Sequence, residues 1–127
     1  MNEDENAHSE IAVMVVDDHP MWRDGVARDL DAAGFRVVAT ADGVAAAGRR
    51  ARATTPDVVL MDMHLPDGNG ADATVAVLEA SPETKILVLS ASAERSDVLD
   101  AIKAGATGYL VKSARRPATQ TLTDPFR

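Results

Sequence analysis

The sequence predicts an α/β protein: an open parallel sheet with helices on both faces. Three observations carry this. Five short, nearly continuous apolar runs recur along the chain, and segments of helical length separate them. Four of the runs also end in polar residues able to do chemistry. Continuous rather than alternating apolarity marks strands buried on both faces, as in a parallel sheet. Regular alternation of strand and helix implies crossover connections, and the right-handed crossover rule leaves few topologies.

The strands are expected over residues 11–16, 35–39, 57–61, 85–89 and 107–111. The first helix is expected over 20–33, with Met21, Val26, Leu30 and Ala33 along one face and Gly34 as its stop. Residues 43–53 are rich in alanine, the strongest helix former. Residues 71–80 carry Val75 and Leu78 and stop at Ser81-Pro82, because the residue before a proline is pushed out of the helical region. Residues 94–104 carry Val98, Leu99 and Ile102, with Gly105 as a C-terminal cap. Residues 1–10 are polar and acidic and read as a disordered leader before a domain over 11–113. Residues 114–127 read as a divergent tail or partial fifth helix. Pro117 suits a first helical turn, but Thr119, Thr121 and Thr123 disfavour helix and Pro125 stops it.

Composition narrows the function. The 127 residues suit one domain and contain no cysteine, which excludes disulfides, thiolate metal sites and a cysteine nucleophile. Net charge is −7, with 13 Lys plus Arg against 20 Asp plus Glu, a poor balance for gripping nucleic acid directly. No apolar run reaches the ~18 residues of a membrane span, and the N-terminus lacks the pattern of a secretory signal. A cytoplasmic protein is expected.

In an open parallel sheet, ligands bind beyond the carboxyl ends of the strands. There the sequence places Asp17-Asp18, Asp62, Ser90 and Lys112. Three close carboxylates repel one another, and a hard cation with oxygen ligands relieves the repulsion. Mg2+ suits such a site, since it binds through a few carboxylates, waters and phosphate oxygens. A carboxylate beside it can attack a phosphoryl donor, while Lys112 pairs with a phosphoryl oxygen and Ser90 donates to another. Taken singly, each residue has a plainer reading: Asp18 as a helix cap, Asp62 as part of the Pro66-Asp67-Gly68 turn, Lys112 as solvated and Tyr109 as a sheet aromatic. Their shared register across the strands is what lifts the chemical reading above these. Trp22 reads as packing, and the side chains of His19 and His64 are not expected to bind a metal that prefers oxygen.

The strings VVDDHP, LMDMHLPDGNG, ILVLSAS and GATGYLVKS resemble response-regulator receivers of two-component systems, NarL/LuxR type, over about residues 11–113. The resemblance implies a flavodoxin-like (βα)5 doubly wound sheet of strand order 2-1-3-4-5. It implies that Asp62 accepts a phosphoryl group from a sensor histidine kinase and that the receiver catalyses its own phosphorylation and dephosphorylation. Mg2+ would be bound by Asp17, Asp18, Asp62 and the backbone carbonyl of His64. Ser90 and Tyr109 would be the switch pair, Lys112 would contact the phosphoryl group, and His64 and Ser92 would tune its hydrolysis. Output would run through the surface around the fourth helix, the fifth strand and any fifth helix. Homodimerisation would follow phosphorylation, and DNA would be reached only through an output domain that these residues do not include. The alternative is a stand-alone or phosphorylation-independent interaction module. Ser113 stands where many receivers have proline, so no cis peptide is expected there.

A hydrolase acting on small substrates is disfavoured by the lack of a D-x-D nucleophile pair and of an extra cap segment to enclose a substrate. A nucleotide or flavin binder is disfavoured by the absence of G-x-G-x-x-G and P-loop patterns.

Overall fold

The computed structural model describes residues 10–91 and 93–112. The expectations for the leader before Glu10, for Ser92, for the peptide bond to Ser113 and for the tail over 114–127 fall outside these residues.

The elements run β1 (Ala12–Val16), α1 (Pro20–Ala32), β2 (Arg36–Ala41), α2 (Val44–Thr54), β3 (Val58–Asp62), β4 (His64–Leu65), β5 (Gly68–Asn69), α3 (Gly70–Ala80), β6 (Lys85–Ser90), α4 (Arg95–Lys103) and β7 (Gly108–Val111). The main sheet has the order β2-β1-β3-β6-β7, and every pairing in it is parallel. Counted over the five long strands this is the expected 2-1-3-4-5 order. The strand order reverses between β1 and β3, so their carboxyl ends flank the crevice where such sheets bind ligands.

The period-two alternation of a strand divides β1 between two cores. Met14 and Val16 face one, with Met61, Met63, Val77 and Ile86. Val13 and Val15 face the other, with Val26, Leu30, Leu60 and Leu89. Helices α2, α3 and α4 contribute to the first core, whereas α1 contributes to the second.

The helix faces differ from the periodic reading. Met21 is 90% exposed, and Trp22 packs against the second core in its place. Ala33 is also exposed. Val75, Leu99 and Ile102 are 44%, 43% and 47% exposed. On α2, α3 and α4 the buried residues are mostly small, Ala46, Ala47, Ala51, Ala73 and Ala101, joined by Thr74 and Val77 of α3. Three helices share one face of a narrow sheet, and small side chains let them approach it closely. At Gly48, an added Cβ would stand 3.4 Å from the Cβ of Ala76, so α2 and α3 come into direct contact there. Val26, Leu30 and Leu78 face the cores as expected, whereas Met21, Ala33, Val75, Leu99 and Ile102 do not.

The segment after β3 forms a hairpin, β4 against β5, which the sequence reading left as a turn. Its tip holds Asp67, whose carboxylate accepts hydrogen bonds from the backbone N–H groups of Val44 (2.7 Å) and Ala45 (3.1 Å). Those are orphan donors of the first turn of α2, so Asp67 caps a helix from 22 or more residues away. Gly43 makes the approach possible, since a Cβ there would stand 2.6 Å from Asp67 Oδ1. Asn69 and Asp72 form a capping box on α3. Gly70 opens that helix hard against β3, where a Cβ would meet the carbonyl oxygen of Asp62 at 2.8 Å.

Two stability predictions follow from this loop. The two N–H donors hold the Asp67 carboxyl below its ordinary range. Its stabilisation is therefore full above the unfolded carboxyl value of about 3.9 and is lost as pH falls through the depressed folded value. Asp67→Ala should lower the melting temperature at pH 7, and the deficit should shrink below about pH 4. A deficit identical at pH 7 and pH 3 would refute the cap. Gly70→Ala should cost about 1–3 kcal/mol in urea denaturation, because the atoms it meets are backbone. Unchanged stability would show that the approach to Asp62 is looser than described.

Candidate functional site

Four strand ends build the site. β1 delivers Asp17 and, one residue on, Asp18. β3 delivers Asp62 as its last residue, β6 delivers Ser90 and β7 runs into Lys112. The backbone holds these ends in register. Asp17 N–H donates to the Ala41 carbonyl, and Lys112 N–H donates to the Ser90 carbonyl. Asp17, Asp62 and Ser90 are buried, at 1%, 5% and 0% exposure.

Lys112 supplies the counter-charge. Its Nζ lies 2.9 Å from Asp17 Oδ2 and 3.5 Å from Asp62 Oδ1, so one ammonium bridges carboxylates from two strands. Burial pushes the Asp62 carboxyl above its usual range, and the Asp17 charge adds to this; Lys112 and the backbone N–H of His64 pull the other way. His19 joins the cluster through Nδ1, at 2.9 Å from Asp17 Oδ1 and 3.2 Å from Asp18 Oδ1. The hydrogen bond to Asp17 and the charges of Asp18 and Asp17 hold its pKa above the ordinary value.

Ligand atoms of Asp17, Asp18, His19 and Asp62 all lie within 4.8 Å of one another. Asp18 Oδ1 is buried and accepts no hydrogen bond among the described residues. Three carboxylates against one ammonium, with a buried oxygen left over, fit a small divalent cation with a preference for oxygen.

The expected residues thus converge, with two distinctions. His64 is exposed in β4, and its ring lies 3.8 Å from Asp97 at the start of α4. Tyr109 is half-buried in β7 against the core under α2, α3 and α4. The sequence reading missed three contributors. The His19 ring, not expected to bind a metal, contacts both Asp17 and Asp18. Arg23 Nη1 donates to the carbonyl of Asp17 at 3.2 Å. Trp22 offers its ring to Lys112, with Nζ 4.7 Å from the centroid. An i, i+5 spacing from Asp17 hints at Trp22, but nothing local pairs it with Lys112, 90 positions later.

Comparison with known proteins agrees with this geometry. Residues 13–123 match the response regulator receiver domain family. The chain is 39% identical over 113 residues to the transcriptional regulatory protein DegU of Brevibacillus brevis, covering 88% of this chain and 48% of that protein. It therefore spans about half the length of this relative. The receiver domain of the response regulator NarL from Mycobacterium tuberculosis superposes with a TM-score of 0.78 at 37% identity, covering 91% of this chain and 94% of that one. A response regulator from Burkholderia pseudomallei, solved with a phosphorylated aspartic acid, calcium ion and citrate, superposes with a TM-score of 0.78 at 27% identity. It covers 87% of this chain and 65% of that one. With the strand order, the acid cluster and a family match over most of its length, the chain belongs to the response regulator receiver domains of two-component systems.

Proposed function

We propose that this receiver is a phosphorylation-operated switch in which Asp62 takes a phosphoryl group from the phosphohistidine of a sensor kinase. One observation carries the reading: Asp62 ends β3 beside a second buried carboxylate and within 3.5 Å of an ammonium that comes from the far edge of the sheet. A carboxylate oxygen of Asp62 attacks phosphorus, the phosphorus–nitrogen bond to the kinase histidine breaks, and the imidazole leaves with its electron pair and takes up a proton. Lys112 exchanges part of its contact with Asp62 for a phosphoryl oxygen and so stabilises charge that develops in transfer. Asp17, Asp18, Asp62 and the backbone carbonyl of His64 would hold Mg2+. Bound there, the ion would neutralise charge shared between carboxylates and phosphoryl oxygens. That the related Burkholderia pseudomallei regulator carries a phosphorylated aspartic acid and a calcium ion supports this chemistry. Hydrolysis of the acyl phosphate resets the switch and makes the receiver a participant in its own dephosphorylation.

The response is a population shift, because phosphoryl oxygens interact better with one arrangement of Ser90 and Lys112 than with the other. Ser90 moves toward the phosphoryl group and the Tyr109 ring turns inward. The readout face is that of α4 and β7, where Leu99, Ile102 and Val111 are exposed. Phosphorylation drives homodimerisation through that face. In a longer regulator the switch controls transcription through a DNA-binding output domain, in keeping with relatives such as DegU. No helix among the described residues is long and apolar enough to cross a membrane.

Incubation with acetyl phosphate and Mg2+ should add one phosphoryl group by intact mass, and the adduct should be absent in Asp62→Asn. Failure to form either this adduct or a beryllium fluoride complex would overturn the switch and favour a phosphorylation-independent interaction module. Lys112→Met should slow adduct formation by roughly 10²-fold, the usual cost of removing one charge-stabilising donor; an unchanged rate would remove Lys112 from the mechanism. Mg2+ should raise the melting temperature, EDTA should reverse the rise and Asp18→Asn should blunt it. An equal rise in Asp18→Asn would place the cation elsewhere.

A further inference from the structure

We propose that Trp22 is a positioning residue for Lys112, holding its ammonium over the acid cluster and thereby setting the rate of phosphoryl transfer. The inference rests on the reading of Asp62 as phosphoacceptor.

Lys112 Nζ carries three N–H donors. One points to Asp17 Oδ2 at 2.9 Å and a second reaches toward Asp62 Oδ1 at 3.5 Å. The indole of Trp22 takes a further side of the ammonium, with its centroid 4.7 Å from Nζ. An aromatic face attracts a cation without supplying an oxygen, so it holds the ammonium while leaving donors for the carboxylates and for an incoming phosphoryl oxygen. The ring also limits water around a side chain that is only 17% exposed, which strengthens the field that Lys112 exerts.

The indole is itself held. Trp22 lies in the first turn of α1 and packs against the core of Val13, Val15, Val26 and Leu30. It lines a small cavity together with Asp17, Asp62, Leu60 and Leu89, and so stands between the acid site and the apolar core. Its neighbour Arg23 ties the same helical turn to the Asp17 carbonyl. An aliphatic residue at position 22 would fill the core but present no π face. The ammonium would then settle toward Asp17, its nearest oxygen partner, and be a poorer partner for the phosphoryl group.

Trp22 is the chain's single tryptophan, so its emission reports the surroundings of this one side chain. Two measurements on the folded chain test the proposal. In the first, phosphorylation by acetyl phosphate and Mg2+ is timed by intact mass. Trp22→Leu should be about three- to tenfold slower than wild type, and Trp22→Phe should recover part of the loss, because phenylalanine retains a weaker π face. Circular dichroism and thermal melts identify which variants fold. In the second, the unphosphorylated protein is compared with Lys112→Met by fluorescence. The Trp22 emission should shift when the ammonium is removed, and the wild-type emission should change on addition of beryllium fluoride and Mg2+. The proposal is overturned by a folded Trp22→Leu that reacts at the wild-type rate, by a Trp22→Phe no faster than Trp22→Leu, or by identical emission with and without the Lys112 ammonium. If Trp22→Leu does not fold, the Trp22→Phe rate and the emission comparison decide. Absence of any adduct in the wild type would instead overturn the phosphoacceptor reading, and the emission of the unphosphorylated proteins separates that failure from this one.

Discussion

The site depends on holding three carboxylates within a few ångströms of one another, two of them buried, without a full set of counter-charges. Burial of a carboxylate is costly unless charge and hydrogen bonds compensate it. Lys112 carries much of that compensation for Asp17 and Asp62 together, across a separation of 95 residues from Asp17. The ammonium can reach both because the parallel sheet brings the ends of β1, β3, β6 and β7 to one side. The His19 ring, just after β1, lies 2.9 Å from Asp17 Oδ1 and 3.2 Å from Asp18 Oδ1. What is left over, a buried Asp18 oxygen without a hydrogen bond, is the demand that a divalent cation would meet.

The same logic explains why the loop after β3 is built so tightly. Asp62 is the last residue of its strand, and its backbone must not drift if the carboxylate is to stay beside Lys112. Gly70 closes on the Asp62 carbonyl, its N–H donates to the Met63 carbonyl at 2.7 Å, and Thr74 Oγ1 donates to the Gly70 carbonyl at 2.7 Å. Asp67 then ties the tip of the hairpin to α2. A loop that would otherwise cost conformational entropy to order is fixed at both of its shoulders. The acid cluster, the hairpin and two helix starts thus form one connected unit.

The division between the two sheet faces also bears on function. α2, α3 and α4 lie over a core lined by alanine and methionine, with small residues at the contacts. That leaves the larger apolar residues of α4, Leu99 and Ile102, turned outward beside exposed Val111 of β7. Apolar surface that the core does not consume is surface that a partner could cover.

Local pattern sufficed for the elements and for the acids. Continuous apolar runs have few interpretations when helical segments and helix stops separate them, and polar residues at strand ends are visible in any linear reading. The strings around Asp17, Asp62, Ser90 and Lys112 carried the rest of the family assignment. What folding alone settled was everything that depends on partners distant in sequence. Asp67 is an ordinary turn residue until α2 lies beneath it. Trp22 is an ordinary core aromatic until Lys112 arrives from the opposite edge of the sheet. The buried faces of α3 and α4 belonged to this class too, because the closeness of three helices on a narrow sheet favours alanine over leucine at the contact. Spacing along the chain shows which residues share a helix face or a strand end; which of those faces is pressed against a neighbour depends on distances that only the packed sheet defines.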